Sequence, residues 1–481
     1  MSVTSLVDGE FLLRPSNRAC WIFLIFASSL CLTTAQTVQQ FAYNTDFFFR
    51  NPSEIYPQPV YVPKSQQETI KTYEKIQFED SSLRFPAPNQ NEQQQPRPQP
   101  PKTPGAMQFA WNMMKMMVLP RQDNTVICPI LPQTLLATLH DGADRAAQEE
   151  LRSSLLATSQ ELGQIVRSQE LAIRGSSVNR LDQAMAVFLG TDTKISKPIQ
   201  DKALQNGVEF VPVNFLNRNT AAATANDWVA RKSQGLIREI VAPTALDAST
   251  RLLMASVINF KGKWKFQFTK TEPGLFETAP SADSRSPVAQ QGPMMYQFNR
   301  FRYGEIDFTN GHGMRWVELP YESSSLSMVL MLPKMRHQLQ QSAQQLSVAD
   351  VTEIITSLNQ NRGTNKMHLT VPKFNVFSSL SLVPALKHLG LRSIFDRASA
   401  LQNLANEPLV VRDVSQRTFI SVDEQGTTAV SAASLAFVAL SAAPPPPIIN
   451  FTVNEPFLMM IVDKIHEYPL FVGKIVNPTL N

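Results

Sequence analysis

Cysteine is scarce in this chain, with three among 481 residues. Cys20 and Cys31 fall inside an N-terminal apolar run, so Cys128 stands alone beyond it and no internal disulfide is available. A chain without disulfides has to rely on a large core, and 43% apolar with 17% charged residues can supply one. For Cys128 two readings stand, a small buried hydrophobe and an exposed thiol open to intermolecular pairing. Charge of one sign is lacking too. A net charge of +4 over this length argues against a nucleic-acid binder, whose basic surface would show in the total.

Histidines number six, His140, His312, His337, His368, His388 and His466, and none are paired at the i, i+4 spacing of a helical metal site. The sequence carries no HExxH, no Gly-rich phosphate cradle of the Walker type and no GxSxG elbow. No metal or cofactor is expected, and the chain is not expected to be an enzyme. A Ser-His-Asp triad assembled from distant positions is the catalytic arrangement that spacing does not exclude.

Arg14 and Arg18 precede the apolar run Ala19 to Leu32, and Thr33-Thr34-Ala35 places small residues where a signal peptidase reads. The run is short for a bilayer span, so residues 1–35 read as a secretory signal peptide; a retained anchor, suggested by Asp8 and Glu10 ahead of the run, is the alternative. Eleven of the 34 prolines lie between Pro52 and Pro104, and "NQNEQQQPRPQPPKTP" has no periodic apolar face. Residues 36–105 therefore read as a Pro/Gln-rich tail expected to be disordered.

From 106 to 481 helical and strand patterns alternate. "MQFAWNMMKMMVL" shows one helical face, and "NDWVARKSQGLIREIV" and "SLSLVPALKHLGL" read as helices. "RLLMASVINF", "SLSMVLMLP", "KMHLTVPKF" and "INFTVNEPFLMMIVD" read as strands, which together predict a mixed α+β domain with long sheets.

Several separated stretches in this region resemble the serpin family: "NDWVARKSQGLI" at Asn226, "INFKGKWKFQF" at Ile258, "GPMMYQ" at Gly292, "VELPYESSSLSMVLMLP" at Val317 and "VPKFNV" at Val371. "LKHLGLRSIF" at Leu386, "ISVDEQGTTAVSAAS" at Ile420, "NEPFLMMI" at Asn454 and "PLFVGKIVNP" at Pro469 continue the series in family order. The resemblance implies a large central, mostly antiparallel sheet with additional sheets, surrounding helices and an exposed C-terminal reactive loop, here about residues 424–449. It further implies a serine-protease inhibitor acting as a suicide substrate, with a serpin-fold carrier, chaperone or storage protein as the alternative. Loop insertion in that family is an established case of strand addition.

The loop residues suit such a step. Glu424 opens the hinge and Gly426 supplies a permissive backbone, followed by Thr427, Thr428, Ala429, Ser431 and Ala433. Residues Gly426 to Ile449 carry no charge, so insertion would bury no ion. Under period-two alternation Thr427, Ala429, Ser431 and Ala433 share one face, all of them small, and Leu435 and Phe437 continue it. An ordinary core strand would have to explain the four prolines Pro444 to Pro447. Counting the family's usual loop length from Glu424 places the scissile bond at Leu440-Ser441, with Ala439 and Ala442 as neighbouring possibilities. Leu440 would suit a chymotrypsin-like or elastase-like protease.

Beneath the place where the sheet of such proteins opens, the matching positions are Cys128, Leu131, Ser256 and Gln416, where the family commonly has small polar residues, an Asn and a His. Repacking and an altered opening barrier are both open readings. Trp264, Lys261 and Gly262 keep the family's pattern. Asn450-Phe451-Thr452 is the acceptable glycosylation sequon, either occupied or idle on a strand. Arg145, Arg152, Arg167 and Arg174 are spread out and form no concentrated basic helix for a polysaccharide activator. The expected partner is a secreted serine protease, met in the extracellular space by a monomer that touches neither nucleic acid nor, after signal cleavage, a membrane.

Overall fold

A computed structural model of the chain describes residues 104–174, 178–247, 249–278, 287–322, 324–360, 363–405, 407–424 and 447–480. The expected signal peptide, all but the end of the expected Pro/Gln-rich tail, and the expected loop positions Gly426, Thr427, Thr428, Ala429, Ser431, Ala433, Leu440 and Ser441 lie outside the described residues.

Three sheets organise the described residues. Five strands make one of them: β2 (Arg180–Gly190), β3 (Val208–Val213), β4 (Leu252–Lys261), β11 (Phe374–Ser381) and β12 (Val411–Val422), in the order β11-β12-β4-β2-β3. A six-stranded sheet contains β1 (Thr125–Ile127), β7 (Tyr303–Asp307), β8 (Gly313–Pro320), β9 (Leu326–Pro333), β14 (Phe457–Asp463) and β15 (Tyr468–Ile475), in the order β1-β15-β14-β9-β8-β7. The third sheet runs β13-β10-β6-β5, from β5 (Lys270–Thr278), β6 (Val288–Phe301), β10 (Asn365–Pro372) and β13 (Ile449–Thr452).

Helices surround the sheets: α1 (Pro104–Met113), α2 (Ile130–Ala137), α3 (Arg145–Leu155), α4 (Ser159–Arg174), α5 (Lys197–Gln205), α6 (Arg218–Lys232), α7 (Leu339–Gln345), α8 (Val348–Asn359), α9 (Val383–His388) and α10 (Ser393–Asp396). Local chemistry starts several of them. The Asp144 carboxylate accepts from the Ala147 N–H ahead of α3, and Ser347 and Asp350 form a capping box ahead of α8. In the first helix Met107, Phe109, Trp111 and Met113 are buried, as the apolar spacing predicts, and the Trp111 indole donates to the Leu346 carbonyl at 3.0 Å.

Four predicted elements are cut shorter than the apolar pattern suggests. The helix expected across residues 226–241 ends at Lys232, because Gln234 and Gly235 take positive φ of 55° and 82° and the Gly235 N–H returns to the Ala230 carbonyl at 2.8 Å. The helix expected across residues 379–391 is only Val383–His388. Ser379 to Ser381 finish β11, Pro384 sits in the first turn, and Gly390 at φ 101° ends the run. "KMHLTVPKF" divides at Pro372 between β10 and β11, in different sheets. "INFTVNEPFLMMIVD" divides likewise into β13 and β14, where Pro456 offers no N–H to a ladder.

The sequence also leaves two cores distinguishable only in three dimensions. Alternate residues of β4 point to opposite sides: Met254, Ile258 and Phe260 join the main core, while Leu253, Ala255 and Val257 join a smaller one beneath α6. Phe188 and Trp228 meet edge to face in that smaller core, 5.5 Å apart.

Candidate functional site

The site is a seam in the five-stranded sheet. There β4 and β12 lie side by side and parallel, in register from Val411 opposite Leu252 to Ile420 opposite Phe260. Both flanks are antiparallel, β2 on β4 and β11 on β12. If the two strands parted, a third running the other way between them would turn one parallel pair into two antiparallel ones.

Three sets of contacts hold this seam closed. Beneath it, Gln416 on β12 and Ser256 on β4 stand opposite one another, both fully buried. The Gln416 amide donates to the Ser256 hydroxyl at 3.3 Å and to the Cys128 carbonyl at 2.8 Å, and its carbonyl accepts the Cys128 N–H at 2.9 Å. Of the four positions expected here, Cys128, Ser256 and Gln416 are brought together in one hydrogen-bonded set, and Leu131 is buried beside α2's start without a polar role. Cys128 is the small buried hydrophobe of the two readings, and burial pushes its thiol up to about 12.

Above the seam lies the segment that follows α6. Arg417, opposite Val257 across the seam, donates to the Glu239 carbonyl at 3.1 Å and the Ile240 carbonyl at 2.7 Å. Ile237, Ile240 and Val241 are buried with Leu253 and Val257, on the β4 side. Asn226 on α6 binds the same segment, accepting from the Ile240 and Val241 N–H groups at 2.8 and 3.1 Å. A side chain of β12 thus grips a segment packed on β4, and the segment bridges the seam.

At the end where β4 and β12 finish, the start of the loop is pinned. Trp264, stacked on Tyr321 with centroids 4.6 Å apart, donates to the Asp423 carbonyl at 2.9 Å. The Glu424 carboxylate accepts from Lys373 at 2.8 Å and from the Thr271 hydroxyl at 2.6 Å. The Lys373 bond, then the Thr271 bond, lower its pKa to about 2. Gly262 is required nearby, since an added Cβ would come within 2.5 Å of the Tyr321 ring. Lys261 ends β4 as an exposed residue.

Residues 425–446 lie outside the described residues; the described chain resumes at Pro447 and enters the third sheet, where β13 runs parallel to β10. Asn450 is exposed on β13. Sequence reasoning missed Arg417, Lys373, Thr271 and Asn226. Each acts on a residue remote in sequence or on a backbone atom, and no periodicity or motif marks such a bond. Among the described residues no group of three or more His, Cys, Asp or Glu side chains could hold a metal ion, and no helix is long and apolar enough to cross a membrane.

The chain is similar to known proteins. Glia-derived nexin of Mus musculus is 30% identical over 366 residues, 74% of this chain and 88% of the relative. Antithrombin-III of Mus musculus is 30% identical over 285 residues, 57% of each chain. The crystal structure of native protease nexin-1 with heparin superposes with a TM-score of 0.68 at 26% identity, covering 78% of this chain and 99% of that one. Serpin48 of Tenebrio molitor, described as a highly specific serpin of that insect, gives 0.63 at 25% identity over 79% and 98% of the two chains. The profile described as "Serpin (serine protease inhibitor)" matches residues 104–478, and with the three sheets and the parallel seam this makes the chain a member of the serpin family.

Proposed function

We propose that the chain is a secreted, monomeric inhibitor of serine proteases that works as a suicide substrate. The observation that carries this reading is the parallel pairing of β4 with β12 between antiparallel flanks, the one junction in the middle of this sheet into which a strand running back from the end of β12 would fit antiparallel to both neighbours. A strand turning back at Gly426 would run antiparallel to both neighbours. About 14 residues at roughly 3.3 Å each extend on the order of 45 Å, enough to move an attached protease from one end of the sheet toward the other.

In this reading the protease serine attacks the Leu440 carbonyl, the bond to the Ser441 nitrogen breaks, and the new chain terminus at Ser441 leaves as an amine. The loop, severed from Ser441 and joined through Leu440 to the protease serine as an ester, inserts with Thr427, Ala429, Ser431 and Ala433 toward the interior. Distortion of the protease then halts hydrolysis of the ester. Leu440 favours chymotrypsin-like and elastase-like enzymes, whose pockets are apolar. The small residues and the absence of charge from Gly426 onward support inhibition over a carrier or storage role.

Mixing the full secreted chain with chymotrypsin, elastase and trypsin tests this on denaturing gels and by intact mass. A denaturation-resistant adduct with a released peptide starting at Ser441 is the expected result. Clean loop cleavage by every protease, with full recovery of activity and no adduct at any ratio, would overturn the inhibitory reading and leave the non-inhibitory one.

A further inference from the structure

The outward face of the third sheet displays aromatic rings beside a strand that bears a sequon. Phe298 on β6 is 51% exposed, and its ring lies 4.5 Å from that of His368 on β10, the planes inclined by 33°. The two exposed rings together form a flat apolar seat on this face.

Register names the occupant. His368 stands opposite Phe298 on one side and opposite Asn450 on the other, so Asn450, His368 and Phe298 form one row on one face. Adjacent strands are spaced by about 5 Å, so the pair of rings starts one strand away from the Asn450 amide. Thr452, two residues on, shares that face and heads the next row, with Thr370 and Tyr296. Asn450 and Thr452 are both exposed, so the two chemically essential side chains of the sequon point together into solvent.

We propose that Asn450 carries an N-linked glycan whose first N-acetylglucosamine lies on the paired rings of His368 and Phe298. The donor is a lipid-pyrophosphate-linked oligosaccharide. A bond forms between the Asn450 Nδ2 and C1 of the first sugar, the bond from C1 to the pyrophosphate oxygen breaks, one amide proton is lost, and the lipid pyrophosphate leaves. The apolar CH face of the sugar then covers the rings as an aromatic partner would. The seat lies next to the C-terminal end of the reactive loop, because β13 begins two residues after Pro447. Sheet edges of this kind invite strand pairing with other chains, and a sugar fixed over β13 would also blunt that edge. The proposal rests on the secretory reading of residues 1–35.

The test uses the full chain expressed from its own N-terminus in eukaryotic cells, with medium and lysate examined by intact mass before and after peptide-N-glycosidase F. The expected result is a secreted chain that loses one glycan, and a Thr452→Ala chain that has none to lose. In native, undenatured protein, Phe298→Ala and His368→Ala should each release the glycan faster, by about five-fold for a lost ring contact. After denaturation all chains should release it equally. Equal native rates would overturn the seat, and so would faster release confined to a variant whose own thermal midpoint has fallen below that of wild type. A secreted wild-type chain without a glycan would overturn the proposal while the secretory reading stands. A chain found only in the lysate, unglycosylated and with its apolar run intact, would overturn both. If the secreted chain is bare and Phe298→Ala slows association with a protease, the rings are a protein-docking face, in keeping with nearby Lys270, Arg300 and Lys366.

Discussion

The six-stranded and five-stranded sheets treat polarity in opposite ways. Every pairing in the six-stranded sheet is antiparallel, and β9, β14 and β15 are buried at every position. Its buried charge is locked in place, with Glu318 held by Ser327, Arg302 and Lys464. In the five-stranded sheet the internal pair is parallel, and Ser256, Ser415, Gln416 and Thr418 are buried along it. One sheet is sealed by apolar packing, which is lost all at once. The other is closed by a few directional bonds that can be exchanged one by one.

Truncation in the sealed sheet should therefore have the largest effect. Phe471→Ala on β15 is expected to lower unfolding free energy by about 3 to 5 kcal/mol in urea, whereas Ser256→Ala at the seam should stay within about 1 kcal/mol, because Gln416 keeps both bonds to Cys128. Equal losses would erase the distinction between the sheets.

Next in size is a charge on the inserting face. Ala429→Arg should leave the native fold intact yet turn trapping into plain cleavage, since an unpaired buried charge costs about 3 kcal/mol or more, roughly a hundred-fold shift in partition. The ratio of adduct to cleaved chain on denaturing gels reads this directly.

Releasing the bridge above the seam should act in the opposite sense. Arg417→Ala frees the Glu239 and Ile240 carbonyls, and about 2 kcal/mol of lost charge-assisted bonding should speed uptake of a synthetic loop peptide by roughly ten-fold or more. Unchanged uptake would show that the segment after α6 does not restrain opening.

Glu424 gives a smaller, pH-dependent effect. Its carboxyl is shifted from the ordinary 4.5 down to about 2, so its contribution is present above about pH 4.5 and is lost as pH falls through 2. With partial solvent screening the contribution is about 1 to 2 kcal/mol. Urea midpoints of wild type and Glu424→Gln should differ at pH 7 and converge near pH 2. A constant gap across this range would mean that the Lys373 and Thr271 bonds add nothing. Cys128 is the mildest probe: at pH 8 its buried, neutral thiol should resist thiol reagents in the native chain and react after denaturation.

Much of this was legible in the chain itself. Strong alternation and long apolar runs mark β4, β9 and β14, and the buried face of α1 follows its spacing. Pattern reading overran at Gly235, Gly390, Pro372 and Pro456, where backbone geometry or a missing N–H stops an element that the apolar sequence would continue. The cluster of Cys128, Ser256 and Gln416 could be nominated only through family resemblance. Its bonds join Gln416 to a backbone 288 residues away.

By itself the sequence determined a single free cysteine in the body, a charge-free loop with small residues on alternate positions, an ordered set of family stretches and a sequon with both polar residues on one side of a strand. Those properties depend on composition and on short-range spacing. Only the tertiary structure decided that β4 and β12 meet as a parallel pair, that Arg417 reaches over them and that Asn450 shares a row with His368 and Phe298. Such neighbours are fixed by sheet order and register, which arise when distant segments bury their apolar faces together, and one chain's local pattern is compatible with many partners until that packing selects one.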